Sequence, residues 1–203
     1  MTGILESLRQ DHVNMAVISS LAFHELAKIE AGQTAELDLL EDIMCYVTGF
    51  PDTHHHPTED ILFERLKLRV PEAADDVDTI LFEHQRMIAS GTRFLDLIRA
   101  AKKDVVIVRN DIVLTGRASF TLLERHISIE ERQLFPLAQH KLTVEDWVQL
   151  GERIEQRPDS LFDVPLDNYY RRLRNRIEAY RFEHYDELCR ASRLSSSILA
   201  LRC

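Results

Sequence analysis

Two stretches of the chain share one element. His55, His56 and Glu59 in DTHHHPTEDILF, and His126, Glu130 and Glu131 in ERHISIEERQLFP, each contain a His-x-x-x-Glu step. On an α-helix that spacing stacks a neutral nitrogen donor and an anionic oxygen donor on one face about one turn apart, so each copy can hold a cation from a single helix. Two further histidines, His12 and His84, lie in the middle of apolar-periodic segments of their own. Four helices can therefore send six donors, His12, His55, Glu59, His84, His126 and Glu130, into one interior. Taken singly, each has a plainer explanation: a satisfied core histidine for His12 or His84, a surface ion pair for either His-x-x-x-Glu. Taken together they do not, because burying this many polar groups without a shared partner carries a large desolvation penalty.

The donor set points to two metal ions. It exceeds what one tetrahedral zinc takes, and four imidazoles with two carboxylates are softer than a magnesium or calcium site uses. Carboxylates bridge two ions, whereas each neutral imidazole ends on one. Two roughly octahedral irons offer about twelve positions. The imidazoles, two bridging carboxylates and a bridging oxide or hydroxide leave about two open for a diatomic or peroxide ligand. Two ferrous ions against Glu59 and Glu130 carry excess positive charge, which an oxo or hydroxo bridge reduces. Leu8, Leu62, Met87, Leu122 and Leu134 are expected as apolar walls that limit solvent access. Within the histidine triplet His55 is preferred, because Glu59 and Leu62 continue its face; His56 with Asp60 is the alternative pair, and His54 and His56 are otherwise expected to be exposed, capping or supporting groups. Glu131, about 100° round from Glu130, is expected at an edge or in solvent. Tyr46 is read as a packing residue, with a redox or hydrogen-bonding role as the alternative.

These donors need helices to carry them. Residues 4–30 repeat apolar positions at three- and four-residue steps around His12, and Ala31-Gly32 ends that run. A second helix begins near Thr34 and is interrupted at Gly49-Phe50-Pro51. It either restarts near Asp52 or Thr53, placing His55 in the first turn and Pro57 where little hydrogen bonding is lost, or continues with a kink. Residues 77–98 make the next amphipathic run around His84. Most of 105–134, including the β-branched VVIVRNDIVLT, is assigned to a long helix that Pro136 stops. TVED at Thr143 resembles a capping box with Asp146 in place of Glu, RPDSLFDVP is a loop, and 167–188 form a polar-rich last helix.

Composition narrows the function classes. A chain of 203 residues, 45% hydrophobic with six Gly and six Pro, fits a mostly helical domain with an appended segment. Acidic residues outnumber Lys plus Arg by 34 to 25 and the basic residues form no stripe, which argues against a nucleic-acid partner. The arginines at 171, 172, 174 and 176 are read as a solvated helix face. No stretch approaches the roughly 20 apolar residues that span a bilayer, and MTGILESLRQDH is too polar for a secretory signal, so a cytoplasmic location is expected. Cys45, Cys189 and Cys203 suggest neither a disulfide framework nor a thiolate metal site; Cys45 is expected in the core.

The motifs resemble the hemerythrin-like family, also called the HHE cation-binding domain, and in particular its bacterial stand-alone members. They are DH at Asp11-His12, HHPTEDILF at His55 to Phe63, EH at Glu83-His84 and HISIEERQLFP at His126 to Pro136, with LTVEDW at Leu142 to Trp147 as a similar continuation. The resemblance implies an all-α fold, an up-and-down four-helix bundle over residues 1–145 with a C-terminal helical extension over 146–203. It also implies a non-haem di-iron centre held by His12, His55, Glu59, His84, His126 and Glu130. Oxygen-carrying members have a further third-helix histidine one turn from the first; here those positions are Ile80 and Ile88.

The functional expectation is a protein that binds or reacts with dioxygen, nitric oxide or peroxide, in sensing or in oxidative or nitrosative stress, rather than a dedicated enzyme. A ferroxidase or peroxidase and an iron-responsive interaction protein are the alternatives. The C-terminal segment either packs on the bundle or contacts a second copy in a homodimer.

Overall fold

The computed structural model describes residues 3–103, 106–155, 159, 161–162 and 168–183. Its elements are α1 (Gly3–Glu30), α2 (Leu37–Val47), α3 (His56–Arg69), α4 (Ala74–Lys102), α5 (Arg109–Ile129), α6 (Phe135–Lys141), α7 (Val144–Arg153) and α8 (Asn168–Glu183). A π-helical turn, Pro51–His55, leads into α3, and a second, Glu130–Leu134, joins α5 to α6. No strand occurs among the described residues. The bundle is up-and-down: α1, the bent pair α2–α3, α4, and the bent rod α5–α6, with α7 against α3 and α8 against α1 and α2.

Two prolines explain the bends. Pro57 and Pro136 have no N–H to give, and their rings would strike the carbonyl four residues back in a regular α-helix. In both places the preceding turn is widened: the His56 N–H donates to the Pro51 carbonyl and the Phe135 N–H to the Glu130 carbonyl, five residues back. Pro136 therefore does not stop the helix, contrary to expectation; the rod runs on to Lys141. The second helix starts at Leu37 rather than Thr34, and its restart lies at Phe50 and Pro51, slightly ahead of Asp52. Most of 105–134 is helical as expected, but the start of the β-branched run is not: α5 begins at Arg109, with Val106 and Val108 exposed in the connection before it.

Other boundaries follow the local chemistry. Gly32 takes a left-handed φ of 74° at the end of α1, where Gln33 N–H reaches the Lys28 carbonyl. Thr143 and Asp146 form the complete reciprocal cap of α7, and Asp146 also accepts from Arg65 and Arg69, tying α7 to α3. On α8, Arg172 pairs in two-pronged fashion with Asp42, at 2.6 and 2.7 Å, and Arg176 pairs with Glu36, so these cations face acidic groups on and beside α2.

The core has two apolar clusters. One holds Met15, Ile18, Leu40, Met44, Phe94, Phe120, Leu173 and neighbours; the other holds Leu5, Leu8, Leu62, Phe63, Ile80, Leu134, Phe135 and Trp147. Helices α4 and α5 approach closely at Gly116, where an added Cβ would lie 2.6 Å from Phe94 Cζ and 2.8 Å from Leu26 Cδ2. Gly116→Ala is accordingly expected to lower the unfolding free energy by about 1–3 kcal/mol through overpacking, read by chemical denaturation.

Candidate metal centre

Between the two apolar clusters lies one polar layer. His12 sits between Leu8 and Met15 on α1, Glu59 one turn before Leu62, His84 between Ile80 and Met87, and Glu130 between Ile127 and Leu134. His12, Glu59 and Glu130 are fully buried, and His55, His56, His84 and His126 are at most 4% exposed. The structure thus brings together all six donors singled out in the sequence, and adds His56.

Their functional atoms converge. His12 Nε2 is 3.4 Å from Glu59 and 3.3 Å from Glu130; His55 Nε2 is 3.2 Å from Glu59; His126 Nε2 is 3.1 Å from Glu130; His84 Nε2 is 3.0 Å from His126 Nε2 and 3.5 Å from Glu59. Two donors at right angles around one ion, each about 2.1 Å from it, are separated by about 3.0 Å. The spacings are those of neighbouring ligands. His12 Nε2 and all four oxygens of Glu59 and Glu130 are buried and make no hydrogen bond of acceptable geometry. Groups that close and that poorly aligned with one another are aimed at common points, and two such groups emerge: His12, His55 and Glu59, and His56, Glu59, His84 and His126, each offering ligand atoms within 4.8 Å. Glu59 belongs to both. Imidazole with carboxylate suits first-row transition ions better than calcium or magnesium.

The opposite ring nitrogens are held by carboxylates in a closed ring. Asp11 of α1 meets His55 Nδ1 at 3.0 Å; Asp60 of α3 meets His84 Nδ1 at 2.7 Å; Glu83 of α4 meets His126 Nδ1 at 3.4 Å; and Glu131 meets His12 Nδ1 at 2.9 Å, returning to α1. Each of these carboxylates stands next in sequence to a donor, so every helix supplies both a donor and the group that orients the next helix's imidazole. Such a partner fixes the tautomer and strengthens the nitrogen facing a metal. Arg9 and Arg125 lie against Glu131 and Glu83.

Two expectations are corrected here. Glu131 is 8% exposed and serves His12 instead of facing solvent. His56 is buried and stacks on His84, with ring centroids 4.4 Å apart, and Asp60 goes to His84 rather than pairing with it. The cause is the same in both: a π-turn rotates successive side chains by less than the about 100° of an α-helix, so adjacent residues both reach inward. His54 is half-buried, stacked on Phe50.

Electrostatics show how the layer balances its own charge. Burial alone would push the His12, His55 and His84 imidazoles down, but the carboxylates win. His12 is raised well above its ordinary value by Glu130, Glu131 and Glu59; His55 is pushed up to about 9 by Glu59 and Asp11; His84 is pushed up to about 11 by Asp60, Glu130 and Glu59. Burial would likewise raise Glu59 and Glu130, yet the neighbouring imidazoles hold both below the usual carboxylate range. Burial lowers His56, which Asp52 offsets only in part. Protons on His12, His55 and His84 occupy the electrostatic place of cations.

The surroundings depart from expectation in detail. Leu8, Leu62, Met87 and Leu134 are buried, but Leu122 is only half-buried and Leu123 takes the inner position. Tyr46 is fully buried and donates to Asp159 at 2.6 Å, beside Phe50, Phe162 and Tyr170, as a packing residue of the neighbouring cluster. Cys45 is half-buried, packed against the edge of the first apolar cluster and near Arg99, rather than inside the core. Cys189, Cys203 and Tyr185 lie outside the described residues. No described helix is long and apolar enough to cross a membrane.

A bent four-helix bundle with a buried histidine–carboxylate layer defines a metal-binding class of protein. The family model for the hemerythrin HHE cation binding domain matches residues 3–138, and the chain belongs to that family. No match was found among curated proteins or among solved structures.

Proposed function

We propose that this layer holds two iron ions, with His12, His55, Glu59, His84, His126 and Glu130 as ligands, and that the protein senses or reacts with dioxygen, nitric oxide or peroxide in the cytoplasm as part of a stress response. The observation that carries the reading is the set of fully buried, unsatisfied Glu59 and Glu130 oxygens facing imidazole nitrogens at neighbouring-ligand distances. When bound, the irons supply one-electron redox capacity and a position for a small ligand. The chain supplies the rest. Glu59, common to both donor groups, and Glu130, beside His12 and His126, would supply the carboxylate ligands, the four carboxylates behind the rings hold each imidazole in its ligating tautomer, and Leu8, Leu62, Phe63, Leu134 and Phe135 keep bulk water out.

Anaerobically reconstituted protein is expected to contain close to two irons per chain and to change its visible spectrum on addition of dioxygen, then of nitric oxide. An iron content near zero after loading sinks the reading. Two irons with no spectral response to any of the three ligands leaves the metal site and removes the proposed chemistry. Repeated turnover of peroxide or ferrous iron would move the protein into the enzyme class.

A further inference from the structure

The charge ring around the centre has a fifth spoke. Four imidazoles follow one rule, Nε2 towards the centre and Nδ1 towards a carboxylate. His56 shares the second half of that rule. Its Nδ1 lies 3.3 Å from Asp52 Oδ1, one turn earlier in the π-turn, and its ring is 4% exposed, stacked on His84 and edge-on to His126. Neither ring nitrogen makes a hydrogen bond of acceptable geometry, an expensive arrangement for a buried imidazole that packs for its own sake. One of its nitrogens shares the 4.8 Å sphere of Glu59, His84 and His126. Helix α4 offers no second imidazole there: Ile80 is buried in the apolar cluster and Ile88 is exposed.

We propose that His56 is a fifth imidazole donor of the centre, acting on the His84–His126 side with Asp52 orienting its ring, so that the two ions are held unequally. This rests on the two-metal reading above. The π-turn before Pro57 is what makes it available, since it lets consecutive histidines serve different ions: His55 sides with His12, His56 with His84 and His126. Three imidazoles then serve one ion and two the other. The His12–His55 side would then have fewer donors from the chain.

The test uses cobalt(II) as the probe in the full-length protein. Each imidazole bound to a paramagnetic ion and protonated on its far nitrogen gives one strongly shifted, exchangeable N–H proton resonance. Wild type loaded with two cobalt ions is expected to show five, His56→Gln four, and His54→Gln five. His56→Gln is also expected to bind the ion on the His84–His126 side at least tenfold less tightly, while His54→Gln binds both as wild type does. Four resonances in wild type with two ions bound overturns the proposal while sparing the two-metal reading, and so does a His56→Gln protein that keeps both affinities. Failure of wild type to take up two ions overturns both. Should His56→Gln not fold, the wild-type resonance count decides alone.

Discussion

Loading with ferrous iron is expected to raise the thermal unfolding midpoint by about 10–15 °C, the largest effect on stability that the structure implies. Without ions, the middle of the bundle is a layer in which Glu59 and Glu130 are fully buried and no oxygen of either finds a properly aligned donor. Removing carboxylates from water costs several kcal/mol each, and protons on His12, His55 and His84 answer that charge without satisfying its geometry. The layer separates the two apolar clusters, so weakness there is weakness of the whole bundle. A ligand present at a thousandfold its dissociation constant stabilises the native state by about 4 kcal/mol, and in a chain of this size each kcal/mol is about 2–4 °C. Calorimetry of metal-free and anaerobically loaded protein reads the shift directly. Calcium at the same concentration, a poor match to imidazole donors, is expected to move the midpoint by less than about 2 °C. Equal midpoints for metal-free and iron-loaded protein would show that the polar layer is self-sufficient and not built around ions.

What the sequence disclosed and what it concealed divide along a physical line. Donors at four-residue spacing on apolar stripes announce themselves, because periodicity and residue type are both local; the positions of His12, Glu59, His84 and Glu130 in one layer follow from stripes that must face a common core. The orienting carboxylates Asp11, Asp60, Glu83 and Glu131 left a trace as well, each adjacent to a donor, but their partners lie on other helices and only packing decides which imidazole each one meets. The inward turn of His56 and Glu131 was hidden by the assumption of a uniform 100° step. Pro57 and Pro136 were the available clue: each sits where a widened turn costs less than a clash, and each widened turn carries one more side chain into the core. Residues 106–108 lie outside the helix for the opposite reason. Local β-branching set Val106 and Val108 outside a rod that only tertiary contact from Arg109 onward sustains.

Metal uptake is expected to depend steeply on pH, with close to three protons released per chain at pH 7–8. His12, His55 and His84 must be neutral to ligate, yet in the metal-free fold neighbouring carboxylates keep them charged, His55 up to about 9 and His84 up to about 11. The sign is opposite for folding and for metal binding. A raised histidine stabilises the metal-free fold fully below its unfolded value near 6.5, and that contribution fades as pH rises through about 9 and then about 11. Metal affinity instead climbs over the same window as the competing protons leave. With three protons displaced, the combined affinity for the ion pair should fall about a thousandfold, about 4 kcal/mol, between pH 8 and pH 7. Competition against a chelator of known affinity at several pH values gives the slope, and proton release into weak buffer gives the count independently. Asp60→Asn supplies the internal check. Asp60 is the largest influence raising His84, so the variant should release fewer protons and show a shallower slope, towards two per unit. A wild-type slope below one would mean that the imidazoles are neutral before metal arrives, and that the carboxylate ring only positions them.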